Sequence, residues 1–479
     1  MKKILLFLII VAHSVIGQTV YQSHEVEKAA EPTGGADILN FFISSNLQIP
    51  VKPSWSGLSG QVFVTAVIET DGSASDLKVT RGIDTICNSE AIRVLNLYKM
   101  WKPAQLDNKP VRQAVIIPVT FKSKPALGYD ITQKCLQVYY NKRREVTTKT
   151  SEYKYRRCIP VDDFGFLNGD VLYQQKNDND WSNISSVPFK KEQIWYKLGE
   201  YGKEDSVRAV KISAAHQQLS NPVYQVVVRQ MNDKILSYNE YDDQGRQFIH
   251  KEYFLNGILK ASRIKDQNTE YHMSWYDNGQ LANVVESPVM YKKPFVYVIK
   301  EAFDANGNHL IKNGNGYFGP GTQSQQGLDG YGTVKDGFKE GLWIMKSKDS
   351  TLLFEELYNK GVLTKGVSFF DGERREYTEA EVQPEFSGGI ASMYRYLGKN
   401  TEYPKDAAKQ NIMGSVITSF VVCEDGTLCD FKVIRGVYPS IDKEALRVVE
   451  GMSGKWQPGW QRGRKVKVKY NLPINFTLQ

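Results

Sequence analysis

Residues 60–121 and 414–476 are two versions of one segment, and this internal duplication constrains the chain more than any other feature. Gly60-Gln-Val-Phe-Val lies over Gly414-Ser-Val-Ile-Thr, Asp71-Gly72 over Asp425-Gly426, and Arg81-Gly82 over Arg435-Gly436. At the same offset Glu90-Ala91-Ile-Arg93-Val94 lies over Glu444-Ala445-Leu-Arg447-Val448. After a one-residue slip, Trp101-Lys-Pro103 meets Trp456-Gln-Pro458, and Pro118-Val-Thr-Phe121 meets Pro473-Ile-Asn-Phe476. Upstream, Gly34-Gly35 and Pro50 meet Gly388-Gly389 and Pro404. A near-constant offset over so many positions means that one domain, about 100 residues long and of ordinary size, occurs at both ends of the 479-residue chain.

The second copy has a direct physical reading. Residues 414–423 and 428–435 alternate as strands, and Asp425-Gly426 between them is a strong hairpin signal. Ser440 can cap a helix whose apolar stripe is Ile441, Ala445, Val448, Val449 and Met452, with Gly454 just past its end. From Arg464 to Tyr470 basic residues interleave with Val466, Val468 and Tyr470, which predicts a third strand with one basic and one apolar face. Residues 389–398 read as a short helix with Ile390, Met393, Tyr394 and Leu397 inward. The order α-β-β-α-β describes a two-layer α+β unit with an antiparallel sheet.

Pro384-Glu-Phe-Ser-Gly388-Gly389, Tyr403-Pro404-Lys-Asp-Ala407, Asp425-Gly426, Val433-x-Arg435-Gly436, Asp442-x-Glu444-Ala445, Trp456-x-Pro458-Gly459, Gly463-x-Lys465-Val466 and Leu472-Pro-Ile-x-Phe476 together resemble the TonB C-terminal domain family. The resemblance covers residues 380–479. The first copy, 31–124, resembles the same family in degenerate form, with Ile49-Pro50 where the family has Tyr-Pro.

The resemblance implies a domain that takes a short extended peptide of an outer-membrane transporter as an added strand. An exposed sheet edge offers unpaired N–H and C=O groups, and alternate side chains set specificity. The expected site is Lys465, Val466, Lys467, Val468, Lys469 and Tyr470, with Tyr403 and Pro404 on the loop before the first strand. Lysines on an edge also discourage aggregation, so the same residues have a purely protective reading.

Between the copies, residues 126–235 read as a β-rich lead-in. Over 236–376 an aromatic residue followed by Asp/Asn and Gly recurs: Tyr241 to Gly245, Tyr253 to Gly257, Tyr276 to Gly279, Phe303 to Gly307, Tyr358 to Gly361. Each Asn/Asp-Gly can supply the positive-φ corner of a hairpin. The segment resembles MORN-like repeats, which implies an array of β-hairpins serving as spacer or interaction surface.

Residues 1–17 have the form of a signal peptide: Lys2 and Lys3, an apolar core from Ile4 to Ala12, and a small-residue site before Gln18. Export to the periplasm of a Gram-negative cell is expected, with an uncleaved inner-membrane anchor as the alternative. Cleavage leaves 59 basic against 53 acidic residues, a net charge of +6 that does not argue for nucleic acid. Of the five cysteines, Cys423 with Cys429 and Cys135 with Cys158 are pairings an oxidising envelope allows; buried free thiols are the other reading for each.

Catalytic signatures are missing. Gly314-Asn-Gly316-Tyr-Phe-Gly319 precedes Pro320 rather than a helix, so it presents no helix N-terminus to phosphate. Asp304-x-Asn306-x-Asn308 has His309 where a calcium loop needs Gly, and reads as a turn. The histidines have no metal-ligand spacing. The chain is therefore read as a non-enzyme, without cofactor or metal, and the resemblance implies that it binds an outer-membrane transporter or another envelope protein. The alternatives are an energy transducer anchored by residues 4–16, and an envelope scaffold or homodimer. An energy transducer of this family needs a Pro-rich linker, and the 18 prolines here are dispersed.

Overall fold

The computed structural model describes residues 19–478 except 52–55, 123–127, 179, 199–204, 216–221, 243–244, 267, 290–295, 320–329 and 348–349. The segment read as a signal peptide lies outside the described residues. The chain divides into two units, residues 1–125 and 126–479.

In the first unit the strands are β1 (Val20–Tyr21), β2 (Glu31–Pro32), β3 (Gly60–Ile68), β4 (Ala74–Arg81), β5 (Trp101–Lys102), β6 (Ala104–Leu106) and β7 (Lys109–Phe121), with helices at Ala36–Asn46 and Thr85–Leu97. The main sheet has the order β1-β7-β3-β4. Alternation along β3 puts Val62, Val64, Ala66 and Ile68 on one face, all buried, as are Phe42 and Val94 of the helices.

The second unit begins with a five-stranded meander, β8 (Gly128–Asp130) to β12 (Asp180–Val187), in which the Cys135–Cys158 disulfide is formed. A single antiparallel meander of sixteen strands follows, from β13 (Phe189–Lys197) to β28 (Glu373–Tyr377), each strand paired with the next. The hairpin segment expected over 236–376 is thus the later part of one longer sheet. Its Asn-Gly corners turn as expected: Gly257 and Gly279 have φ of +93° and +91°. Trp275 and Phe303, at such corners, are buried. Asp304 caps a turn by accepting from the N–H groups of Asn306 and Asn308.

The chain ends in β29 (Glu381–Val382), β30 (Glu385–Phe386), helices Gly389–Asn400 and Lys405–Lys409, β31 (Gly414–Val422), β32 (Leu428–Arg435), helix Pro439–Glu450, β33 (Trp456–Gln457), β34 (Gly459–Gln461), β35 (Arg464–Val466) and β36 (Val468–Phe476). The sheet order β32-β31-β36 repeats β4-β3-β7, so both ends carry the expected two-layer α+β arrangement.

Two duplicated devices hold each copy. Gly72 and Gly426 sit at φ +81° and +84°, and a Cβ there would lie 2.4 and 2.2 Å from the carbonyl oxygens of Trp101 and Trp456. Only glycine meets both the turn and that approach. The second device is an ion pair one helical turn apart. Arg93 binds Glu90 at 2.6 Å and donates to the Asn46 carbonyl at 2.7 Å, while the Gln48 N–H donates to Glu90. Arg447 and Glu444 do the same with the Asn400 carbonyl and the Glu402 N–H. Each pair locks the C-terminal end of the first long helix onto the next one, where a cation complements the exposed carbonyls.

Burial works to raise the pKa of Glu444, but the bonds from Arg447 and Glu402 outweigh it, and the carboxyl is held below its usual range. A depressed folded-state pKa contributes stability that is present above the unfolded value and lost as pH falls through the folded one. Denaturant midpoints measured from pH 6 down to pH 3 should therefore fall less steeply for Glu444→Gln than for the native chain. Parallel curves would count against this role.

Two local expectations are corrected. Ser440 does not cap its helix: Pro439 takes the first helical position, Tyr438 is the cap, and the Asp442 side chain accepts the Val437 N–H instead. On helix Gly389–Asn400, Met393 and Leu397 are buried, but Ile390 and Tyr394 are 63% and 52% exposed. The inward side runs through Met393, Leu397 and the partly buried Tyr396, and is rotated round the helix from the side on which Ile390 and Tyr394 stand.

Candidate strand-addition edge

The sequence places the third strand at Arg464–Tyr470, but the chain changes partners inside that run. Arg464–Val466 pair with β34, and pairing with β31 begins at Val468. Lys467 is the switch point. It is invisible in the sequence because side-chain alternation continues through it: Lys465, Lys467 and Lys469 are exposed, while Val466, Val468 and Tyr470 are partly buried. On the other side, β35 and β36 have no neighbouring strand among the described residues. A continuous open edge of thirteen residues, 464–476, results.

Pro473 indicates which groups this edge offers. It pairs with Ile417 inside the ladder although it has no N–H to give, so its nitrogen points to the open side. N–H direction alternates along a strand, so Lys469 and Asn471 point their N–H groups outward too.

Below the edge lies an aromatic cluster. Trp456 is 5% exposed, and its ring centroid lies 5.7 Å from Phe386, 5.6 Å from Phe420 and 5.0 Å from Tyr470. Burial raises the pKa of Tyr470, helped by the nearby Tyr394. Ile390 and Tyr394 remain exposed on helix Gly389–Asn400.

Tyr403 and Pro404 are not brought to the Lys465–Tyr470 end. Tyr403 packs its ring on Phe476, at 5.9 Å, and its hydroxyl donates to the Ile412 carbonyl; Pro404 caps helix Lys405–Lys409. Phe476 is eight residues from Val468, about 26 Å along a strand. Their local role is packing and turning.

The turn between β34 and β35 is anchored in the sixteen-stranded sheet, which no sequence signal announced. Arg462 donates to Glu356 on β26 (Leu352–Asn359) at 3.0 Å and lies 3.9 Å over the Phe354 ring. Glu356, fully buried, also accepts from Tyr358 and Tyr377, each at 2.8 Å. Ser368 on β27 (Val362–Phe370) donates to the Arg462 carbonyl at 2.7 Å, and Arg464 lies 3.6 Å from Asp371.

Residues 50–123 and 399–478 each match the family model for the Gram-negative bacterial TonB protein C-terminal. Both end domains belong to the TonB C-terminal family. Two NMR structures of the Helicobacter pylori TonB C-terminal domain also match, at 22% and 21% identity. They cover 19% and 18% of this chain and 80% and 91% of their own, each with a TM-score of 0.16. No curated protein matches the chain.

Elsewhere the chemistry is sparse. Cys423 and Cys429 face each other across the β31–β32 hairpin of the C-terminal TonB domain with sulfurs 2.7 Å apart, as thiols. The Cys423 contact and burial push the Cys429 thiol up to about 11. His250 bonds Asn239 at 2.7 Å and His272 bonds Ser287 at 3.1 Å, both within the large sheet. An open cleft of 480 Å³ carries Arg395, Lys399 and Lys455. Among the described residues no His/Cys/Asp/Glu group could hold a metal, and no helix is long and apolar enough to cross a membrane.

Proposed function

We propose that this chain is an envelope protein of a Gram-negative cell whose C-terminal TonB domain binds an extended peptide of an outer-membrane transporter, or of another envelope protein, as a fourth strand. The observation that carries the reading is the open edge 464–476, with its outward N–H groups and its lysines beside half-buried Val466, Val468 and Tyr470. A strand laid there gains ladder hydrogen bonds, and alternate side chains along it lie beside Val466, Val468 and Tyr470. The basic outer row favours a partner with acidic residues at alternate positions. The large sheet supports the edge from behind through Arg462, which suits a protein that holds a partner at a set orientation. In an oxidising periplasm Cys423 and Cys429 would join and pin the adjoining hairpin.

Lys469→Pro removes one outward N–H without removing a donor to β31, as Pro473 already does four residues on. It is expected to abolish capture of outer-membrane transporters by the immobilised chain while the thermal transition stays within a few degrees. A photo-crosslinker at Lys469 should give adducts to the transporter in the native background. Unchanged capture by the proline variant would sink the reading, and adducts to a second copy of the chain would replace it with a homodimer.

A further inference from the structure

The open edge of the C-terminal domain has a counterpart in the N-terminal domain, and there it is covered. β1 pairs in parallel with β7, Val20 opposite Arg112 and Tyr21 opposite Gln113. By register these are the equivalents of Lys467 and Val468: Ile68 pairs with Gln113 just as Val422 pairs with Val468. The N-terminal domain thus already holds a strand, its own leader, where the C-terminal domain holds none.

The difference comes from what each leader does. From one pairing onward the two match: Lys28 bridges Gln105 as Val382 pairs with Trp460, and Glu31–Pro32 pair with Lys102 and Trp101 as Glu385–Phe386 pair with Gln457 and Trp456. Before that point they part. The offset that superposes the repeats carries Val20–Tyr21 onto Arg374–Arg375, and these lie in β28, paired with Phe369 and Ser368 of the large sheet. In the C-terminal copy the sheet has taken the leader, and the edge is bare.

The cover on the N-terminal edge is short. The leader turns away at once, with the Glu25 N–H donating back to the Gln22 carbonyl. Beyond Gln113 no strand among the described residues pairs on this side of β7. Pro118 faces Phe63 within the ladder, so its nitrogen points outward, and by alternation so do the N–H groups of Arg112 and Ile116. Ile116 is 67% exposed, an apolar side chain on a bare length of edge.

We propose that the N-terminal TonB domain is a second strand acceptor, held closed by its own leading strand Val20–Tyr21 and opened when that strand leaves. The occupant it fits is an extended peptide running parallel to β7. Such a peptide continues straight where the leader bends, pairs past Gln113 and sets an apolar side chain beside Ile116. The inference borrows its mode of binding from the function proposed above, but it concerns a different edge.

The test uses two full chains, one beginning at Gln18 and one at His24, both carrying Lys469→Pro so that the C-terminal edge is blocked. The shorter chain keeps the Lys28 and Glu31–Pro32 pairings. The probe is a fluorescent synthetic peptide of residues 18–26, followed by anisotropy. The His24 chain should bind it at least tenfold more tightly than the Gln18 chain, and the bound peptide should restore slow amide exchange at Arg112. Equal affinities, or no binding by a His24 chain with a native circular dichroism spectrum, would overturn the proposal. The intact chain gives an independent check should truncation unfold the domain: the Arg112 amide should exchange at least tenfold more slowly than that of Ile116, and equal rates would show that the leader covers nothing. Failure here with successful capture at the C-terminal edge would leave the proposed function standing; the reverse would leave this one.

Discussion

Replacing Trp456 by alanine should destabilise the C-terminal TonB domain by about 3–5 kcal/mol, the usual cost of emptying a buried aromatic site. The side chain is 5% exposed and touches the rings of Phe386, Phe420 and Tyr470, which belong to three separate strands. No single neighbour can move into the space without breaking its own ladder. Against a total stability of about 5–15 kcal/mol for an ordinary domain, a loss of this size leaves little margin. The functional effect should exceed the thermodynamic one, because Tyr470 lies on the open edge and rests on the indole. Trp460, 39% exposed on the adjoining hairpin, is the control: its alanine variant should stay within about 0.5 kcal/mol of the native chain. Denaturant unfolding followed by hydrogen exchange in peptides from 414–476 measures both. Similar losses for the two variants would show that the rings do not form the domain's core.

What the sequence made legible was local and periodic. The Asp425-Gly426 hairpin and the stripe Ile441, Ala445, Val448, Val449 lie where alternation and helical spacing put them, since each needs only neighbours a few residues away; Met452 is buried too, but from the turn after the helix ends at Glu450. The duplication extended that reading to the first copy, and even the Glu-Arg pair recurs at its matching place. What stayed hidden depended on partners that periodicity does not encode. Lys467 changes the strand's neighbour without disturbing its alternation. Ile390, Met393, Tyr394 and Leu397 fit a helical stripe, and only the tertiary position of the helix decided which side faced inward. A two-residue strand such as Val20–Tyr21 is too short to give any pattern. Arg462 gives no sign of being anchored, because its carboxylate lies 106 residues earlier in the chain.

That anchor carries the second large effect. Glu356→Ala should cost about 3–5 kcal/mol, because it removes the carboxylate from a guanidinium whose side chain is only 13% exposed and withdraws the acceptor of one buried and one part-buried tyrosine hydroxyl. Burial first, and the nearby Glu356 second, raise the pKa of Tyr358 and Tyr377, so both remain donors at any pH of interest. Removing both charges is different. With Glu356→Leu and Arg462→Leu together neither ion is buried alone, and most of the loss should return, since apolar replacement of a whole buried pair is often close to neutral. The double-mutant cycle therefore separates the cost of an orphaned charge from the worth of the pair. Hydrogen exchange shows where the loss falls: in Glu356→Ala, protection should drop together in 352–377 and 459–466, the two sides of the joint, while 414–422 keeps its own. A loss confined to 352–377 would mean that the hairpin does not depend on the sheet. A joint loss would mean that the open edge takes its orientation from the sheet through one buried carboxylate, so that a partner strand pulling on β35 pulls on the sheet as well.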